Sequence, residues 1–186
     1  MEEKAEKQLI RIAITGPEST GKSWLAMHLA RHYNTLWVKE YAREYLDKIG
    51  RPYIYHDILE IAKGQLLSEN SAAVNLAEGQ LLFCDTESIV TRIWCMVKYG
   101  RCHRYINSLV KSHRYDLYLL CDIDLPWEYD PLREHPQKRG FLFELYKSEL
   151  EKNGLPYVIV NGTGDNRLQL AIKAVNHLLM EKKASV

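Results

Sequence analysis

The stretch Leu9-Ile10-Arg11-Ile12-Ala13-Ile14-Thr15-Gly16-Pro17-Glu18-Ser19-Thr20-Gly21-Lys22-Ser23-Trp24 decides the fold. An apolar run passes directly into a segment that fits G-x-x-x-x-G-K-[ST] at every fixed position, the signature of a P-loop. From Trp24 to Tyr33 there is no Pro or Gly, and Leu25, Leu29 and Tyr33 share one helical face. The loop therefore lies between a strand and a helix, the context its chemistry requires. Successive backbone N–H groups curl around phosphate oxygens, and the helix N-terminus adds partial positive charge at the same place. Lys22 is expected to reach the β- and γ-phosphates of ATP and Ser23 to ligate Mg²⁺. The expected nucleotide contacts are Gly16, Pro17, Glu18, Ser19, Thr20, Gly21, Lys22, Ser23 and Trp24.

Working outward, short runs rich in apolar and β-branched residues recur at 9–14, 35–38, 80–84, 117–121 and 157–160, with helical stretches between them. That alternation predicts an α/β fold of the three-layer P-loop NTPase type, with a five-stranded parallel sheet and helices on both faces. The unbroken apolar character of Leu81-Leu82-Phe83-Cys84 and of Leu117-Tyr118-Leu119-Leu120-Cys121 suits strands buried on both faces. Leu168, Ala171, Ile172, Val175 and Leu179 recur at helical spacing and predict a closing amphipathic helix.

A length of 186 residues suits one P-loop domain, expected to span 1–186. With 25 Lys+Arg against 24 Asp+Glu there is no global field to draw the chain onto nucleic acid or a membrane. No apolar stretch reaches transmembrane length, and residues 1–8 are charged and lack an apolar signal core, so a cytoplasmic protein is expected. Cys84, Cys95, Cys102 and Cys121 show no disulfide framework or C-x-x-C pair. Oligomeric state is not legible here.

Three further segments carry chemistry. Residues 124–140 hold Pro126, Pro131 and Pro136, the basic or imidazole side chains Arg133, His135, Lys138 and Arg139, and no core periodicity. After the fourth strand such a stretch predicts a lid whose Arg133 and Arg139 close over the phosphates. Asp85 directly follows an apolar strand, the position from which a carboxylate supports Mg²⁺ beside a P-loop. Glu40 ends the second strand and is the candidate base that orients the acceptor hydroxyl and takes its proton, although Asp85 is not separable from it on sequence. Arg43, on the next helical turn, is placed to steady a phosphate or the acceptor, and Glu44 to pair with Arg43 or Lys48.

Two other P-loop classes fit poorly. A GTPase should carry Asn-Lys-x-Asp after a late strand, where this chain has Val160-Asn161-Gly162-Thr163-Gly164-Asp165. A remodelling ATPase of the AAA type should have a helical lid domain after the core, for which the sequence leaves no room. A small kinase with a polar lid remains, with the 161–165 loop at the adenine end.

The P-loop together with Glu40-Tyr41-Ala42-Arg43-Glu44, Asp85-Thr86-Glu87, the segment 127–130, Leu132-Arg133 and Gln137-Lys138-Arg139 resembles the ribosylnicotinamide kinase domain of bacterial NadR proteins, from about Ile12 to the last helix. The resemblance implies ATP- and Mg²⁺-dependent phosphorylation of the 5′-hydroxyl of nicotinamide riboside, giving nicotinamide mononucleotide. It implies phosphate and metal roles for Lys22, Ser23 and Asp85, lid roles for Arg133 and Arg139, and an acceptor site around Glu40, Tyr41, Arg43 and Glu87. Tyr99 and Trp94 are candidate stacking partners for a cationic nicotinamide ring. The chain departs from the family at Lys39, where an aromatic is usual, and at Glu87, where Asp is usual. It also lacks the H-x-G-H signature of the adenylyltransferase domain, so a kinase domain alone is expected. The readings left open are a kinase for another nucleoside or nucleotide, and a nucleotide-binding regulatory ATPase.

Overall fold

The computed structural model describes residues 8–184; the charged residues 1–7 lie outside it. Five strands, β1 (Ile10–Thr15), β2 (Leu36–Val38), β3 (Leu81–Asp85), β4 (Leu117–Cys121) and β5 (Tyr157–Val160), form one sheet in the order β2-β3-β1-β4-β5, with every pairing parallel. Seven helices connect them among the described residues: α1 (Lys22–His32), α2 (Tyr41–Ile49), α3 (Tyr55–Val74), α4 (Ser88–Tyr99), α5 (Arg104–Ser112), α6 (Arg139–Lys152) and α7 (Gly164–Ala184).

The period of two along each strand divides the core into two layers. Ile12, Ile14, Phe83 and Leu119 face α1 and α7, meeting Leu25, Leu29, Ala171 and Val175. Ala13, Leu82, Cys84 and Leu120 face the other way, onto Ile89 and Ile93 of α4 and Leu142, Tyr146 and Leu150 of α6. β3 and β4 are buried at every residue, which is why they read as continuous apolar runs. A satellite cluster of Ile58, Ala62, Cys95 and Ile106 sits among α3, α4 and α5.

The strand order sets the site. β1 lies between β3 and β4, so the loop leaving β1 emerges beside the carboxyl end of β3, where Ile14 pairs with Asp85. β1 and β3 each run one residue past their apolar segments, because the ladders extend to the Ile14–Asp85 and Thr15–Leu120 pairs. All four cysteines are free thiols, and no group of three or more potential metal ligands occurs among the described residues. Among these residues no helix is long and apolar enough to cross a membrane.

Candidate functional site

The loop between β1 and α1 is held open by backbone conformations that its glycines permit. Gly16 has φ +130°, and a Cβ there would lie 2.9 Å from the Cys121 carbonyl oxygen, so no larger residue fits. Gly21, with φ +74°, is the N-cap of α1. That helix has no side-chain cap and no acidic residue in its first turn, which leaves its leading N–H groups available to an anion. Lys22 Nζ arches back over the loop and donates to the carbonyls of Gly16 (3.0 Å) and Pro17 (2.7 Å). Thr20 Oγ1 donates to Pro17 O at 2.8 Å, stiffening the turn.

Asp85 ends β3 and is 1% exposed. Burial, then the nearby Glu40 charge, pushes its carboxyl up to about 6, opposed by the Ser23 hydroxyl, Lys22 and Arg43. Its Oδ1 is buried with no hydrogen-bond partner. An orphaned buried carboxylate oxygen beside a serine hydroxyl is the donor set a hard divalent cation uses, so Ser23 and Asp85 fit Mg²⁺.

Glu40 is the N-cap residue of α2, and its Oε2 lies 3.3 Å from Arg43 Nε. Arg43 Nη1 in turn donates to Asp130 Oδ2 of the lid at 2.7 Å. The amide of Leu132, then Arg43, holds the Asp130 carboxyl below its ordinary range. Segment 124–140 docks on the P-loop at the rim of the cavity. Glu18 accepts the backbone N–H groups of Glu134 and His135, while Ser19 Oγ accepts from Glu128 N (2.9 Å) and from Arg133 Nη1 (3.3 Å).

Residues 16–24, Glu40, Arg43 and Arg133 line a single cavity of about 610 Å³, with Asp85 beneath its floor at Ser23. Away from the phosphate loop the wall is apolar and aromatic: Val90, Ile93, Trp94 and Val97 project from one face of α4, and Tyr53 meets Trp94 edge-on at 4.9 Å. Tyr53 was not singled out by sequence, yet its hydroxyl accepts from Trp94 Nε1 (2.8 Å) and donates to Glu134 of the lid (2.8 Å).

Four expected site residues are placed elsewhere. Tyr41 turns its ring onto Gly64 of α3, and its backbone N–H donates to Gln65 Oε1 at 2.9 Å. Glu87 points into the core: Thr86 adopts φ +71°, which reverses the chain after Asp85. There Glu87 caps α4 by accepting from Ile89 N (2.5 Å) and also accepts from Thr15 Oγ1 (2.9 Å). Burial pushes its carboxyl up to about 7. Tyr99 is five residues beyond Trp94, about 140° around the helix, and packs on Tyr55 with ring centroids 5.3 Å apart. Arg139 heads α6 outside the cavity and donates to the carbonyls of Ser19 (3.1 Å), Ile123 (3.2 Å) and Leu125 (2.9 Å). Glu44 pairs with Lys48, one turn on.

Comparison with known proteins agrees with this architecture. The chain is 29% identical over 185 residues to the trifunctional NAD biosynthesis/regulator protein NadR of Escherichia coli strain K12, covering 92% of this chain and 43% of that protein. It thus spans less than half the length of that curated relative. A crystal structure of NadR protein in complex with NR superposes with a TM-score of 0.77 at 24% identity, over 93% of this chain and 51% of the other. Deoxyadenosine kinase from M. mycoides, solved with dCMP and dCDP, superposes with a TM-score of 0.63 at 16% identity, over 90% of this chain and 99% of the other. These likenesses establish the P-loop NTPase fold. A family model described as AAA domain matches residues 11–167, from β1 through the P-loop and lid to the start of α7, and the chain belongs to that family.

Proposed function

We propose that the chain is an ATP-dependent kinase that phosphorylates the 5′-hydroxyl of nicotinamide riboside, giving nicotinamide mononucleotide and ADP. The observation that carries this reading is the two-ended cavity. A phosphate loop forms one end, Trp94 and Tyr53 form the other, Glu40 lines the same cavity, and Asp85 lies beneath its floor at Ser23. The NadR likeness supports the same acceptor, and the likeness to a nucleoside kinase supports the same class of reaction.

In this mechanism the loop amides and Lys22 hold the triphosphate, Lys22 leaving the Gly16 and Pro17 carbonyls for phosphate oxygens. Ser23 and Asp85 would hold Mg²⁺, which supplies charge neutralisation across the phosphates. Trp94 stacks the cationic pyridinium ring, a favourable pairing of cation and aromatic face. Glu40 orients the ribose hydroxyl and accepts its proton as the phosphoryl group leaves ADP for the acceptor oxygen. Arg133, already at the P-loop through Ser19, stabilises charge on the transferring group. A nucleotide acceptor, which brings its own phosphate, suits the site less well, because Arg43 is engaged by both Glu40 and Asp130 and Lys48 by Glu44.

The test is Mg²⁺-dependent ADP production with nicotinamide riboside, with other nucleosides and with nucleoside monophosphates. Stimulation by the riboside with appearance of the mononucleotide is expected. Stimulation by a different acceptor reassigns the substrate. ATP turnover that no acceptor accelerates replaces the kinase with a regulatory ATPase.

A further inference from the structure

Arg167 is the largest fully buried side chain among the described residues, and it reaches the cavity without having been marked by any motif. Its Nη1 donates to Asp124 Oδ1 (2.8 Å) and to the Gly162 carbonyl (2.9 Å). Its Nη2 donates to the Thr20 carbonyl (2.8 Å) and the Asp122 carbonyl (3.2 Å). The second oxygen of Asp124 accepts the Gly162 N–H at 2.5 Å. One guanidinium on α7 therefore ties together the P-loop, the segment where the lid leaves β4, and the loop between β5 and α7.

Arg139 complements it from the other side. The lid root divides its carbonyls between the two arginines, Asp122 to Arg167 and both Ile123 and Leu125 to Arg139, and the P-loop gives Thr20 O to one arginine and Ser19 O to the other. Such a buried charge is tolerated only because a carboxylate and three carbonyls receive it. The sheet does not depend on this arrangement, since β1–β4 and β4–β5 are paired by their own ladders. What Arg167 fixes is the spacing between two loops, the P-loop at Thr20 and the Gly162–Gly164 turn, and both Gly164 and Thr20 line the cavity.

We propose that Arg167, held by Asp124, is a positioning residue that sets the donor-nucleotide end of the cavity and so governs affinity and base selectivity for the nucleoside triphosphate. The kinetic part rests on the kinase reading; the binding part needs only the P-loop. Removing the guanidinium frees the 162–164 turn to drift from the phosphate cradle, so base and triphosphate can no longer be engaged together. The γ-phosphate end, formed by Lys22, Ser23 and Asp85, keeps its own contacts. The expected signature is loss of nucleotide affinity with turnover largely retained at saturation.

The experiment compares Arg167→Met, Arg167→Lys and Asp124→Asn with the parent chain, using titration calorimetry of Mg·ADP, steady-state kinetics with ATP and GTP, and thermal unfolding. Loss of charge-assisted hydrogen bonds predicts that Arg167→Met weakens ADP binding and raises the ATP KM by about tenfold or more, with kcat within about threefold. Arg167→Lys should recover part of that loss, Asp124→Asn should show a smaller shift of the same kind, and the ATP-over-GTP preference should fall in all three. If Arg167→Met does not fold, Asp124→Asn and Arg167→Lys decide the matter. Folded variants that lose Tm but bind ADP and show an ATP KM within about twofold of the parent overturn the proposal and leave Arg167 as a stability residue. If the parent binds ADP but no acceptor stimulates turnover, the kinase reading fails while the calorimetry still tests Arg167.

Discussion

Substituting Gly64 by Ala perturbs the acceptor side of the cavity from a position that does not line it. Gly64 lies inside α3, where Ala is normally favoured by about 1 kcal/mol. Here an added Cβ would stand 2.5 Å from Cζ of Tyr41, and closer still to Cδ1 and Cε1. Forcing a carbon into a packed contact costs about 1–3 kcal/mol, so the net effect is a loss of about 1 kcal/mol, or about 3 °C in Tm for a chain of this size. The ring can escape only by swinging away from α3, which drags on the Tyr41 N–H to Gln65 bond and on the first turn of α2. Glu40 precedes Tyr41 and Arg43 follows two residues later, so kcat should fall by about 10- to 100-fold, as a displacement of about 1 Å in reacting groups can cause. The assay is thermal unfolding together with steady-state kinetics, in the parent and in a Tyr41→Ala background. With the ring removed, Gly64→Ala should reverse sign and stabilise by about 1 kcal/mol. A Gly64→Ala variant that is more stable than the parent, with unchanged kcat, would refute the seating of Tyr41 on α3.

Lys22→Ala should lower ADP formation by at least about 100-fold with little change in Tm, since its ammonium acts on charge in the transition state; unchanged turnover removes the P-loop from the mechanism. Trp94→Leu should raise the acceptor KM by about 3- to 30-fold, the range of a partly desolvated cation–π contact, with the ATP KM unmoved; equal shifts in both would deny Trp94 an acceptor role. Asp57 accepts two hydrogen bonds from Arg51, one from Ile54 N and one from the Tyr45 hydroxyl, and the Arg51 contact is the main force holding its carboxyl well below the usual range. Its stabilising contribution is therefore fully present above the unfolded value of about 4 and is lost as pH falls through the folded one. Asp57→Asn should be less stable than the parent at pH 7, with a gap in urea midpoint that narrows on acidification below about pH 5; a gap that ignores pH would discount the ion pair.

The sheet was readable because its inner strands β3 and β4 are buried at every residue and so had to be apolar. Runs such as Leu81-Leu82-Phe83-Cys84 cannot be mistaken for surface, and only their ends, set by ladder pairing, shifted by a residue. The phosphate loop was readable because its backbone demands particular residues, shown by the Cys121 carbonyl that leaves no room for a side chain on Gly16. Side-chain direction was not readable where it depends on one local dihedral or on helical phase. Thr86, left-handed without being a glycine, sends Glu87 inward, and nothing in its chemistry announces that. Trp94 and Tyr99 look interchangeable in sequence, and both pack on the satellite cluster, but only the phase of α4 brings Trp94 to the cavity wall as well. Arg167 reads as one more surface arginine on an amphipathic helix, because its partners come from segments 43 and 147 residues away.

Glu18 and Ser19 occupy variable positions of the phosphate-loop pattern, yet their side chains receive the lid. Loop and lid are thus a matched set. Transplanting residues 124–140 into another P-loop protein would carry over the arginines without their landing site, and the graft should stay open unless the two loop residues travel with it. The same pairing offers a handle for redesign: the lid can be loosened or tightened at the Glu18 and Ser19 side chains while Lys22, Ser23, Asp85 and Glu40 stay as they are.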